Sequence, residues 1–249
     1  MNKNNRITQS VVLGLTTLVA AATWAGLKSI LFESNSWIWP SLGFLILLIF
    51  LSLSWLLVKS KAILLTTLSI ILICFFFSFG LKLEYLAALF IALLFFLLGS
   101  FRAVNEKKVR IKIQLDKILR KGLPFVLTGL ALVMATAYYF SPLALQEQNQ
   151  IKVPRPLFNI IIEPINGLTI EQEDLVYQAI NQEINKRSQP YQQYFPLGLA
   201  LGVFFALKVI SFPFMWLVIL LSWLIFKALV SLGAIKIQEQ AVLKEVIEI

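Results

Sequence analysis

Long apolar runs separated by short polar stretches dominate the chain. Five runs cover 11–27, 37–58, 62–80, 85–101 and 123–145, and a sixth, of 40 residues, covers 195–234. The hydrocarbon core of a bilayer is about 30 Å thick and a helix rises about 1.5 Å per residue, so about 20 apolar residues predict a membrane-spanning helix. Unbroken apolar stretches such as 45–50 and 70–77 lack the alternation of a membrane β-barrel strand.

The sixth run is too long for a single crossing, because one helix of that length would measure about 60 Å. We predict a break at 211–213, where Pro213 suits the first turn of a helix and Ser211 its N-cap. The two resulting spans are 195–210 and 213–233. The predicted fold is therefore an all-α integral membrane protein, a polytopic bundle of about seven transmembrane helices, with six as the alternative.

The stretches between the runs define the remaining organisation. Residues 1–145 form a membrane domain of five spans with an inner basic loop at 102–121, followed by an extracytoplasmic segment at 146–194, the spans within 195–234 and a tail at 235–249. In the extracytoplasmic segment, residues 158–162 resemble a short strand and residues 170–188 an amphipathic helix. The apolar stripe of that helix needs the membrane surface, the strand or another protein as its partner; it contains Leu175, Val176, Ala179, Ile180 and Ile184.

Two further strand interpretations depend on the number of spans. Residues 109–115 alternate apolar and polar side chains, although 104–118 also fit one helical face. The tail has strand-like pieces at 235–237 and 246–249. With six spans the tail could pair with 109–115, and with seven it could pair with 158–162.

The loop charges predict the orientation of the chain. It has 249 residues, 59% of them hydrophobic, a mean hydropathy of +0.82 and a net charge of +9. Basic residues collect in cytoplasmic loops, which places the N-terminus and 102–121 inside and 146–194 outside. We expect a bacterial-type plasma membrane protein. As an alternative, the first span is a signal peptide with an A-x-A site at 20–22.

The chain lacks the residues that several classes of enzyme and metal site require. The chain has no histidine, which excludes Ser-His-Asp triads and HExxH zinc sites, and Cys74 is its only cysteine. The thirteen acidic residues avoid the apolar runs. We expect no cofactor and no metal. A membrane enzyme, the least favoured interpretation, would need loop acids such as Glu163, Glu171 or Asp174.

Three groups of residues remain as candidates. Small residues four apart, Gly198, Gly202 and Ala206, predict close helix packing. Basic residues of the inner segment are candidates for anionic lipid headgroups, and nucleic acid is the less favoured partner: Lys107, Lys108, Arg110, Lys112, Lys117, Arg120 and Lys121. Lys208, expected near the inner end of its span, and Lys227 are weak transport candidates.

These patterns favour a non-enzymatic multi-pass membrane protein that acts through protein or lipid contacts, with a protein partner at 146–194. The alternative is a carrier for a small or lipidic substrate. The sequence leaves the oligomeric state open.

Overall fold

A computed structural model describes residues 3–33, 36–58, 61–80, 82–109, 114–144, 158, 170–188 and 194–233. These residues form no β-strand. The helices are α1 (Lys3–Glu33), α2 (Ile38–Leu57), α3 (Lys61–Phe79), α4 (Leu83–Val109), α5 (Leu115–Tyr139), α6 (Ile170–Ser188) and α7 (Phe195–Ser231). Six of them, all except α6, are long and apolar enough to cross a membrane. The prediction of an all-α polytopic membrane protein is confirmed.

Helices α4 and α5 form the most closely packed pair of the bundle. A Cβ on Gly99 would lie 2.7 Å from the carbonyl oxygen of Gly122, and one on Gly129 would lie 3.1 Å from the carbonyl oxygen of Ala92. This register is antiparallel. It places the end of α4 beside the start of α5, at what we call the basic end of the bundle, where Arg102 and Arg120 lie.

Helix α7 runs antiparallel to α5. The guanidinium of Arg120 lies over the ring of Trp216, and the Lys208 amine contacts Thr128. Moving eight residues along α5 therefore moves eight residues back along α7. Beyond Trp216, α7 continues past the basic end to Ser231.

The predicted division of 195–234 is not present, because α7 is one helix of 37 residues with Pro213 inside it. Ser211 does not cap a second helix, and its Oγ donates to the carbonyl of Lys208 at 2.7 Å. The physical reason lies in the backbone. Ending a helix leaves four N–H and four C=O groups without partners, which is costly in hydrocarbon, whereas proline removes only one hydrogen bond.

Most of the predicted inner loop is also helical. Helix α4 extends to Val109 and α5 begins at Leu115, so only 110–113 lie outside the described residues. Of the two interpretations of 104–118, the helical one therefore holds for 104–109 and for 115–118, on either side of that gap. The predicted helix at 170–188 is confirmed as α6. The strand-like pieces at 159–162 and in the tail lie outside the described residues.

Trp24 anchors α1 to its neighbours in the core. Its ring meets Phe44 of α2 and Phe75 of α3 edge-on, with centroids 5.2 Å and 5.1 Å apart. Its indole Nε1 donates to the carbonyl of Ile71 at 2.8 Å. A buried indole needs such an acceptor, because an unpaired N–H in an apolar interior is costly.

Candidate functional site

Lys208 makes a polar contact between α5 and α7 deep in the described part of the bundle. Its Nζ donates to Thr128 Oγ1 at 2.7 Å, and the Thr128 hydroxyl donates to the carbonyl of Pro124, also at 2.7 Å. Both side chains are half-buried. A carbonyl oxygen has two lone pairs, so that of Pro124 can accept this hydroxyl, and the Thr128 oxygen can accept from the lysine at the same time.

The register places this lysine far from either end of the bundle. Thr128 lies 8 residues from Arg120 and 11 from Tyr139 along α5, or about 12 Å and about 16 Å of helix. We expected Lys208 near the inner end of a short span. In the continuous α7 it lies inside the helix instead, and its amine donates to Thr128, far from both ends of α5.

The one acidic residue of these two helices, Asp116, lies in the first turn of α5, 12 residues or about 18 Å along the helix from Thr128, too far to neutralise Lys208. Residues 117–146 and 184–238 contain neither Asp nor Glu. A charge at membrane depth costs roughly 2.5–3.5 kcal/mol on insertion scales, so such residues usually serve a function. The site can therefore offer an anion the Lys208 cation, which Thr128 positions.

Two arginines at the basic end are fixed on aromatic rings. The Arg102 guanidinium lies 4.4 Å from the centroid of Phe125, and that of Arg120 lies 4.1 Å from the centroid of Trp216. Each stack joins two helices. Stacking occupies the flat face of the guanidinium and leaves its N–H groups at the edge, in the geometry that binds phosphate.

The predicted headgroup lysines divide into different roles. Lys107 donates to the carbonyls of Trp55 and Leu56, and so caps the end of α2. Lys108, Lys117 and Lys121 are exposed. Arg110 and Lys112 lie outside the described residues. The exposed lysines and the stacked arginines together form the cationic surface of the basic end.

Lys227 is not part of the Lys208 site. Its Nζ lies 5.0 Å from the centroid of Trp223, on its own helix. It is 19 residues beyond Lys208, or about 28 Å along α7. The two predicted transport lysines are thus separated, and Lys227 belongs to the part of α7 beyond the basic end.

The predicted packing motif of Gly198, Gly202 and Ala206 makes no close contact with another helix among the described residues. All three residues are exposed, and a Cβ added to either glycine would have no atom within 4 Å outside its own helix. The close approach occurs instead at Gly99, Gly122 and Gly129. The two glycines of α5 also show a spacing in the sequence, a separation of seven residues, but this signal is weaker than the four-residue repeat on α7.

Two cavities in the described bundle are largely apolar. One of about 340 Å³ lies between α2, α5 and α7, where Phe44, Leu130 and Phe214 line it. The other, of about 400 Å³, lies between α3 and α4, where Leu68, Leu97 and Val104 line it. Neither is lined by Lys208. Among the described residues, no group of three or more His, Cys, Asp or Glu side chains could hold a metal ion.

Helix α6 leaves part of its apolar stripe uncovered by the described residues. Leu175 is 65% exposed, and Ala179 is exposed as well. Phe158 is buried, and its ring meets that of Tyr177 edge-on with centroids 5.0 Å apart.

Comparison of the chain with protein-family models, with curated proteins and with solved structures finds no match.

Proposed function

We propose that this chain is a non-enzymatic membrane protein that acts through contacts with anionic lipid at its basic end. The observation that carries the proposal is the pair of stacked arginines, Arg102 and Arg120. The register of α4 and α5 places them at one level on neighbouring helices. With Lys117 and Lys121 exposed beside them, they present fixed donors and diffuse charge to phosphate groups.

The orientation and location belong to the same proposal. The basic end faces the cytoplasm of a bacterial-type plasma membrane, and residues 146–194 lie outside the cell. Excess basic residues on the cytoplasmic side support this orientation. Anionic lipids of the facing leaflet would then meet the cationic surface directly.

Lipid retention tests the proposal. Native mass spectrometry of the purified protein should show preferred retention of phosphatidylglycerol over phosphatidylcholine. Replacing both arginines, in R102Q/R120Q, should lower that preference several-fold. The matched control, K28Q/K82Q, removes two cations from the opposite end and should change nothing. Equal retention of the two lipids, or an unchanged preference in R102Q/R120Q, would refute the proposal.

A protein contact at 146–194 is a separate part of the proposal, supported by the exposed Leu175. A photo-crosslinking residue at this position should capture a protein in intact cells. The same residue at Gln178, which is also exposed but polar, is the control. Crosslinks of equal yield at both positions, or at neither, would contradict a specific contact.

A second candidate function, a carrier for an anionic or lipidic substrate, is favoured by Lys208. In the described part of the bundle this lysine is paired with a hydroxyl and no carboxylate; near the middle of a crossing such a charge is costly to insert, and binding an anion would offset that cost. Transport by reconstituted protein that is lost in K208M tests this function.

A further inference from the structure

A row of exposed and half-buried side chains follows one face of α5. Lys117 and Lys121 are exposed, and Phe125, Thr128 and Leu132 are half-buried. Spacings of three and four residues place them in one row. Between them, Gly122, Val126 and Gly129 are buried against neighbouring helices. We call this row, with Arg102 of α4 and Lys208 of α7 at its sides, the α5 furrow.

The charges along the furrow form a series. Lys117 and Lys121 are about 6 Å apart along the helix, and Thr128, which holds Lys208, is about 10 Å beyond Lys121. Arg102 reaches the same row, because its guanidinium lies over Phe125. An anion at the headgroup level of the basic end therefore meets successive cations as far as the middle of the bundle.

Polar groups continue beyond Lys208. Thr136 is half-buried and lies eight residues past Thr128, about 12 Å further along α5. Its hydroxyl donates to the carbonyl of Leu132 at 2.9 Å. Tyr139, which is half-buried, follows at the end of the helix. The furrow thus carries a polar group at each of several levels between the two ends of α5.

We propose that the α5 furrow carries the phosphate headgroup of an anionic phospholipid between the two leaflets, with Lys208 and Thr128 as its binding site at mid-membrane. This inference rests on the carrier function proposed above and names its substrate. The headgroup follows the cations while the acyl chains stay in the surrounding bilayer. Pairing with Lys208 offsets the cost of bringing a phosphate out of water, and the phosphate offsets the cost of the buried lysine.

The shape of the site favours a lipid over a soluble anion. The described residues leave the face of α5 that carries the furrow incompletely covered, so a lipid can enter it sideways. The cavities of about 340 Å³ and 400 Å³ are mainly apolar, and Lys208 lines neither of them. A soluble anion would need an enclosed polar path to the same depth; a third cavity, of about 690 Å³ between α1 and α3, has polar residues such as Lys28 and Ser29 in its lining, but it does not reach Lys208 either.

Lipid movement in proteoliposomes tests the inference. Vesicles of phosphatidylglycerol and phosphatidylcholine carry a trace of either lipid with a fluorescent group, and dithionite bleaches the outer leaflet. Wild-type protein should move phosphatidylglycerol faster than phosphatidylcholine. K208M should reduce that rate about tenfold or more, the effect of losing one hydrogen bond from a charged group, and T128V should reduce it less.

Two variants separate function from folding. K208R keeps the cation and should retain most of the rate. K227M removes a lysine of the same helix away from the furrow and should match wild type, and each protein should elute as one peak from size exclusion. Rates equal to those of empty vesicles, an unchanged rate in K208M, or equal rates for the two lipids would overturn the inference.

A free-anion assay separates the substrate from the carrier function itself. Uptake of inorganic phosphate without lipid movement would overturn the lipid assignment and keep a carrier. Neither activity in wild type would refute the carrier as well. Retention of phosphatidylglycerol at the basic end is measured without transport. It therefore tests the proposed lipid contact independently of the carrier function.

Discussion

The indole Nε1 of Trp55 donates a 2.9 Å hydrogen bond to the Oγ of Ser100 and so joins α2 to α4. Trp55 is fully buried, and Ser100 is buried as well. The same ring would lie 2.7 Å from a Cβ on Gly122, so it also fills the space that this glycine leaves. Three helices therefore meet at one tryptophan near the basic end.

We expect Trp55 and Ser100 to be energetically coupled. S100A leaves the indole N–H without its acceptor, and W55F removes the donor. Hydrogen bonds between membrane helices average about 0.6 kcal/mol with a maximum near 1.7 kcal/mol, and a double-mutant cycle should give a coupling in that range. Reversible unfolding in mixed micelles measures it. T66A, at an exposed threonine that bonds within its own helix, is the control; a coupling of zero would contradict the contact.

Glycine substitutions should distinguish the packed pair from the exposed one. In G99A the new methyl group would lie 2.7 Å from a backbone oxygen of α5, so the helices must separate, at a cost of about 1–3 kcal/mol. In G202A the methyl group meets no neighbour, and alanine favours the helix by up to about 1 kcal/mol. Thermal unfolding in detergent should rank G99A below wild type and G202A at or above it. The reverse order would mean that Gly202 is the packed position.

Variants of the adjacent residues Lys107 and Lys108 should affect different properties, the first stability and the second lipid binding. K107M loses the hydrogen bonds to the last carbonyls of α2, and bonds from a charged group contribute about 1.5–3 kcal/mol. K108M removes an exposed cation and should leave the unfolding temperature unchanged while lowering the retention of phosphatidylglycerol. Unfolding and native mass spectrometry on the same two proteins test this. Equal effects of both variants on stability would contradict the role of Lys107 as a cap.

Sequence patterns were sufficient for the apolar helices and for α6, because hydropathy and amphipathic spacing are local properties. They failed at Pro213. The length argument assumes that a helix ends where the bilayer core ends, whereas the backbone of α7 stays hydrogen-bonded past that limit. That error also affected Lys208, which was expected near the end of a short span and lies inside the continuous α7 instead.

The sequence patterns could not predict which residues contact each other between helices. Gly198 and Gly202 match a packing motif, yet the glycines that pack are those facing another helix, which the spacing of one helix cannot show. Likewise, the stacks of Arg102 and Arg120 depend on Phe125 and Trp216, at separations along the chain of 23 and 96 residues. Its charge alone made Arg120 a lipid candidate, whereas its position over the Trp216 ring is known only from the structure.

The continuity of α7 predicts the side on which the chain beyond it lies. A helix that crosses once, with Lys208 near the middle of the crossing, gives six crossings in total and puts Gly233 on the same side as the N-terminus. A division at Pro213 would give seven and put it on the opposite side. Paired reporters, alkaline phosphatase and green fluorescent protein fused after Gly233, report the side directly.

With six crossings, only the fluorescent fusion should be active, because green fluorescent protein matures in the cytoplasm and the phosphatase needs the other side. P213A should not change this result, since the proline lies inside an unbroken helix and alanine restores its missing hydrogen bond. A fusion within 102–109 serves as the cytoplasmic reference. An active phosphatase after Gly233 would mean that the chain turns within α7, and Lys208 would then lie near a membrane surface, where it could not hold a headgroup midway between the leaflets.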